Sequence, residues 1–168
     1  MLCGMDTWAI ELDKEYFKFS CAHFLIFPDG RKERLHGHNY RVRVEIVGDL
    51  NDRGLVIDFI EAKPLVRELC DELDEHWLIA AEHPELELER RDDGHTEVVY
   101  REARYLAPSE EVLVLPISNT SAENLATWFG RELLSRLEKR FGASQVRKLR
   151  VGVSETDGQS GVFRFERD

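Results

Sequence analysis

The strongest constraint in this sequence is a strand-like run that opens on two histidines. From Tyr40 to Ile46, apolar Tyr40, Val42, Val44 and Ile46 alternate with Arg41, Arg43 and Glu45, the period of a half-buried β-strand. His36 and His38, in Leu35-His36-Gly37-His38-Asn39-Tyr40, are in phase with the apolar set. Both imidazoles therefore leave the same face of the sheet. A third lies in Phe17 to His23, where His23 continues the row of Phe17, Phe19 and Cys21. Neutral imidazoles from His23, His36 and His38, with no obvious fourth protein ligand, describe a catalytic zinc site. Such a site keeps one position open for water or substrate.

Plainer readings stand beside this one. A His-x-His pair on a strand is more often two surface or cap residues, and it is the in-phase His23 that favours a metal. Cupin barrels also use His-x-His, but with a Glu soon after the second His and many short strands. Here the first acid after His38 is Glu45, so the cupin pattern fails. Cys21 shares the face of His23 and is read as a small buried residue rather than a base or ligand.

Size and charge narrow the classes. A chain of 168 residues is most simply one domain, long enough to bury a core. Its 33 acids against 23 bases give a formal charge of -10, which argues against nucleic acid or an anionic membrane as partner. A local basic pocket for a phosphorylated small molecule remains compatible with that field. No apolar run reaches the length of a membrane span, and no basic-then-apolar signal pattern opens the chain. Cys3, Cys21 and Cys70 are odd in number and lack paired spacing, which points to a reducing cytoplasm.

Along the chain, Met1 to Asp6 reads as a loose terminus, and Trp8 to Leu12 and Tyr16 to His23 as the first strands. Phe24 to Arg34 is a loop ending in Arg31-Lys32-Glu33-Arg34, a solvated tip or a contact for substrate phosphate or carboxylate. Asp58 or Glu61 caps a helix with Pro64 in its first turn and Ala62, Leu65, Val66, Leu69 and Leu73 on one face. The acid-rich stretch at about 82–111, with Asp93-Gly94 as a turn, reads as an inserted hairpin or lobe. Thr120 and Glu123 form a capping box for a second helix, which Gly142 closes. In the last strand pair Leu149, Val151 and Val153 share a face, and Glu155 is the next residue on it.

Five stretches, in order, carry a resemblance: Phe19-Ser20-Cys21-Ala22-His23-Phe24-Leu25, Leu35 to Tyr40, Gly54 to Phe59, Ser121 to Ala126, and Val153-Ser154-Glu155-Thr156. Together they resemble the family of 6-pyruvoyl-tetrahydropterin and 6-carboxy-tetrahydropterin synthases. The resemblance implies an α+β tunnelling fold: a four-stranded antiparallel sheet with two helices on one face, between the second and third strands. Three subunits would close a barrel and two trimers would stack as a homo-hexamer, with active sites between subunits. It also implies a small-molecule dihydropterin as partner and Zn2+ as cofactor, with His23, His36 and His38 as ligands. Glu155 would anchor the pterin ring by accepting two parallel hydrogen bonds, and Ser121 would lie beside the ring.

Two departures bear on the chemistry. The typical enzymes carry a Cys base shortly before the His pair, whereas this chain has Glu33 in a segment without Cys. That resembles a subfamily that trims dihydroneopterin to 6-hydroxymethyl-dihydropterin. The family's Asp-His is replaced by Asp74-Glu75-His76, so Asp74 and His76 form an acid/base pair only if the backbone absorbs one residue. The resemblance, with these departures, thus implies a zinc-dependent lyase acting on the side chain of 7,8-dihydroneopterin or its triphosphate. Glu33 would be its base, with Asp74 and His76 relaying protons. The alternative is a zinc- and pterin-binding protein impaired in catalysis, since both departures fall at proton-transfer positions.

Overall fold

In the computed structural model, which describes residues 6–167, the alternation behaves as the pattern requires. The expected loose terminus lies, apart from Asp6, outside the described residues. Within strand β3 (His36–Gly48), Tyr40, Val42, Val44 and Ile46 are buried while Arg41 and Arg43 are exposed. Strand β2 (Lys18–His23) pairs antiparallel with its first part and β1 (Trp8–Leu12) with its last.

The buried face of these strands is covered by two helices. Helix α1 (Phe59–Leu73) is capped by Asp58, whose side chain accepts the Ile60 N–H at 2.8 Å, so Asp58 rather than Glu61 starts it. Pro64 sits in the second turn rather than the first. It withholds the N–H that would bond the Ile60 carbonyl, and Ile60 is well exposed, where water can serve that group. Helix α2 (Ala122–Phe141) is capped by Ser121, whose Oγ accepts the Asn124 N–H at 3.3 Å. The expected Thr120 cap is wrong by one residue because the Thr120 hydroxyl donates inward to the Phe24 carbonyl at 2.8 Å. Gly142 ends α2 at φ 90, a conformation glycine adopts without a Cβ clash.

The main sheet has seven strands rather than four. Strands β4 (His76–Ala80), β8 (Val112–Leu115), β9 (Lys148–Thr156) and β10 (Gln159–Glu166) complete it in the order β10-β9-β3-β2-β4-β8, with β1 on β3. The four expected antiparallel strands are the contiguous set β10, β9, β3 and β2, with α1 and α2 between β3 and β9 in the chain. Beyond β2, strands β4 and β8 continue the sheet in parallel. Parallel strands rich in apolar residues need cover on both faces. One face of β4 joins the main core through Leu78 and Ala80, and the other joins a second cluster through Trp77 and Ile79.

That second cover is the inserted lobe. Its strands β5 (Leu86–Arg90), β6 (His95–Tyr100) and β7 (Ala103–Pro108) form a three-stranded sheet instead of a single hairpin. The Asp93-Gly94 turn is where the sequence puts it, and a second tight turn holds Arg101 at φ 53. Val98 and Tyr100 pack with Phe24, Ile26, Trp77, Ile79 and Val112. Among the described residues no helix is long and apolar enough to cross a membrane.

Phe129, fully buried on α2 against the sheet, tests this core. Phe129→Ala should lower unfolding stability by about 3–5 kcal/mol in denaturant titration at constant slope. A loss under about 1 kcal/mol would contradict the packing.

Candidate metal centre

The antiparallel register of β2 and β3 builds the centre. His23 pairs directly with His36, Cys21 with His38 and Phe19 with Tyr40, so three imidazoles gather at one end of the apolar face. Their ring centroids lie 4.8 Å (His23 to His36), 5.3 Å (His23 to His38) and 4.8 Å (His36 to His38) apart. One ligand nitrogen from each lies within 4.8 Å of the others. His23 is buried and the other two are half-buried.

Backbone carbonyls fix two of the rings. His23 Nδ1 meets the Thr120 carbonyl at 3.1 Å and His36 Nδ1 meets the Arg34 carbonyl at 2.7 Å. Only a protonated Nδ1 can donate there, which leaves Nε2 of both rings as a lone pair. His36 Nε2 then stands 3.0 Å from His38 Nε2, a repulsive contact unless a proton or a cation lies between them. This carbonyl support is the usual outer layer of a metal-bound histidine. Burial, and then the neighbouring His36, hold the His23 pKa below its ordinary 6.5, keeping that imidazole neutral and able to ligate. The donor set fits a divalent cation of zinc type.

Two carboxylates flank the trio. Glu33 Oε2 is 3.8 Å from His36 Nε2 and accepts the Leu25 N–H at 3.1 Å. The pairing of Arg41 with Ser154 brings Tyr40 beside Glu155. Glu155 Oε1 lies 3.3 Å from His38 Nε2 and 3.6 Å from His23 Nε2. The Tyr40 hydroxyl donates to the same oxygen at 3.1 Å and lies 3.2 Å from His23 Nε2. All these contacts run through Oε1, which leaves Oε2 for a ligand. Burial and the nearby acids push the Tyr40 pKa upward, so it stays a donor. Sequence pattern marks Tyr40 only as core; its direct contact with two site residues comes from the register.

The remaining candidates fall around this centre. Glu75 takes φ 59 and its N–H donates to the Ser20 carbonyl at 2.7 Å. Such a left-handed step costs roughly 1–2 kcal/mol for a residue with a Cβ, and the strand that follows sets His76 opposite Cys21. The Asp74 carboxylate accepts the Ser20 N–H at 2.6 Å, whereas His76 Nδ1 meets the Asp74 carbonyl at 2.7 Å. The pair is therefore linked through the Asp74 backbone. His76 is two strands from His38 and lines an open groove of about 440 Å³ together with Ser20, Asn39 and Glu111. Ser121, the α2 cap, follows Thr120, whose carbonyl holds His23.

Comparison with known proteins gives a consistent picture. Residues 11–166 match a family model described as 6-pyruvoyl tetrahydropterin synthase. A Methanocaldococcus jannaschii protein named putative 6-carboxy-5,6,7,8-tetrahydropterin synthase is 36% identical over 148 residues, covering 88% of this chain and 89% of that one. Its similarly named counterpart in Pyrococcus horikoshii is 32% identical, covering 82% and 80%. Among solved structures, the 6-pyruvoyl tetrahydropterin synthase of Plasmodium vivax superposes with a TM-score of 0.89 at 27% identity, over 97% of this chain and 100% of that one. A variant of that protein, in which a glutamate described as a catalytic residue is replaced by alanine, superposes with the same score at 26% identity.

Cys21 provides a check on the site. Burial first, then Glu155 and Asp74, push its thiol up to about 12, and burial pushes Cys70 up to about 12. Both thiols should resist iodoacetamide at pH 8 in the native protein and react after unfolding, read by peptide mapping. Rapid native labelling of Cys21 would contradict the geometry.

Proposed function

The chain belongs to the 6-pyruvoyl tetrahydropterin synthase family, and from that membership we propose that it is a zinc-dependent lyase of dihydropterin side chains. Its substrate in this reading is 7,8-dihydroneopterin or its triphosphate. The observation that carries the proposal is the convergence of three imidazoles between two carboxylates of different surroundings, Glu33 and Glu155.

His23, His36 and His38 would hold the zinc. Bound there, zinc supplies Lewis-acid polarisation of the substrate's side-chain hydroxyls. Glu33 is the general base. One of its roughly four acceptor positions is taken by the Leu25 N–H, and the others are free to take a proton from the side chain. Support comes from the Plasmodium vivax relative, whose catalytic residue is also a glutamate. Glu155 anchors the ring through parallel hydrogen bonds from its N–H groups, oriented by the Tyr40 hydroxyl, with Ser121 beside the ring. His76 carries protons through Nε2, and Asp74 holds the His76 segment against β2.

In the same reading the chain works as a dimer of trimers in a reducing cytoplasm. The outer edge of β10, unpaired among the described residues, supports the first point, since an open edge invites another strand. The free, buried Cys21 and Cys70 support the second.

Zinc-loaded protein should convert dihydroneopterin or its triphosphate to a 6-hydroxymethyl, 6-carboxy or 6-pyruvoyl pterin, read by fluorescence-detected chromatography. Glu33→Gln should lower kcat by about 100-fold or more, and Cys21→Ala by no more than about threefold. Stoichiometric pterin binding without turnover would replace the lyase with a binding protein. Unchanged turnover in Glu33→Gln would remove Glu33 as base.

A further inference from the structure

We propose that the inserted lobe positions Glu33, through a clamp made of Lys32, Tyr105 and Phe24; this rests on Glu33 being the base. The loop between β2 and β3 folds on itself. Phe27 N–H donates to Arg31 O at 2.8 Å and Glu33 N–H to Leu25 O at 2.9 Å, with a bridge between Ile26 and Lys32. Along its return limb, neighbouring side chains point to opposite sides. Glu33 reaches the histidines, so Lys32 reaches the lobe.

There the ammonium of Lys32 is fixed on several sides. It donates to the Tyr105 hydroxyl at 2.7 Å and curls back to the carbonyl of Glu33 at 2.6 Å. It also lies 4.6 Å from the centre of the Phe24 ring, within cation–π range, while it meets Tyr105 at the hydroxyl edge of the ring. The two rings stack with centroids 5.8 Å apart. A second tether joins the lobe to the loop tip, where the Tyr100 hydroxyl and Arg101 both donate to the Gly30 carbonyl, at 2.9 and 3.1 Å. The lobe therefore grips the backbone of Glu33 itself, through one side chain from the adjacent residue.

A flexible carboxylate next to the metal ligands would sample many rotamers, and a misplacement of about 1 Å can lower a rate about 100-fold. Lys32 and Tyr105 oppose that freedom. They are positioning residues, and they give a role to the aromatic side chains that the polar insertion presses against this loop.

Lys32→Met and Tyr105→Phe test the clamp, since each removes one partner of the hydrogen bond and keeps most of the packing. Each should lower kcat about tenfold with KM for the dihydropterin and the zinc content unchanged. Each should also speed hydrogen–deuterium exchange of the Leu25 amide, the one bound to Glu33 Oε2, about tenfold, with β3 amides unchanged. In a Glu33→Gln background, Lys32→Met should add no further loss of kcat. Unchanged Leu25 exchange in both variants would overturn the clamp, as would an equal kcat loss with and without Glu33. Faster Leu25 exchange in an enzyme indifferent to Glu33→Gln would uphold the clamp and overturn only the base.

Discussion

Two imidazole lone pairs do not meet at hydrogen-bond distance unless a proton or a cation lies between them. His36 and His38 bring Nε2 atoms to 3.0 Å, and carbonyls of Arg34 and Thr120 hold the opposite ring nitrogens of His36 and His23. The rest of the site follows from that convergence. It needs the register in which His23 faces His36, and it needs negative charge nearby, which Glu33 and Glu155 supply. Two carboxylates match the charge of a divalent ion, so a cation held by the three imidazoles would meet compensating charge.

The sheet and the lobe are coupled by the same logic of cover. Strands β4 and β8 lengthen the sheet beyond β2, and their outer face would be exposed apolar surface without β5 to β7. The cluster that covers them includes Phe24 and Ile26 from the loop before the histidines. Packing that stabilises the parallel edge therefore also fixes the loop that carries Glu33.

Much of this was legible in the sequence because period-2 alternation is a local signal. The in-phase histidines, Glu155 at the end of an apolar row and the Asp58 cap all appear where the pattern puts them. What escaped depends on distant partners. Thr120 and Ser121 carry equivalent hydroxyls, and only the claim of the Phe24 carbonyl on Thr120 decides which one caps α2. The parallel pairing of β4 and β8 has no local signature beyond short apolar runs. Strand β7 mixes Leu106 into the polar side of its alternation, which blurs the period. Glu75 at positive φ is invisible in advance, since its local sequence favours no left-handed residue.

X-ray absorption at the zinc edge of the loaded protein distinguishes a three-histidine centre from other coordination. Three nitrogen scatterers with imidazole character at about 2.0–2.1 Å and one further light atom are expected. A sulfur shell at about 2.3 Å would bring Cys21 into the coordination and contradict the three-histidine centre. So would a signal that lacks imidazole scattering.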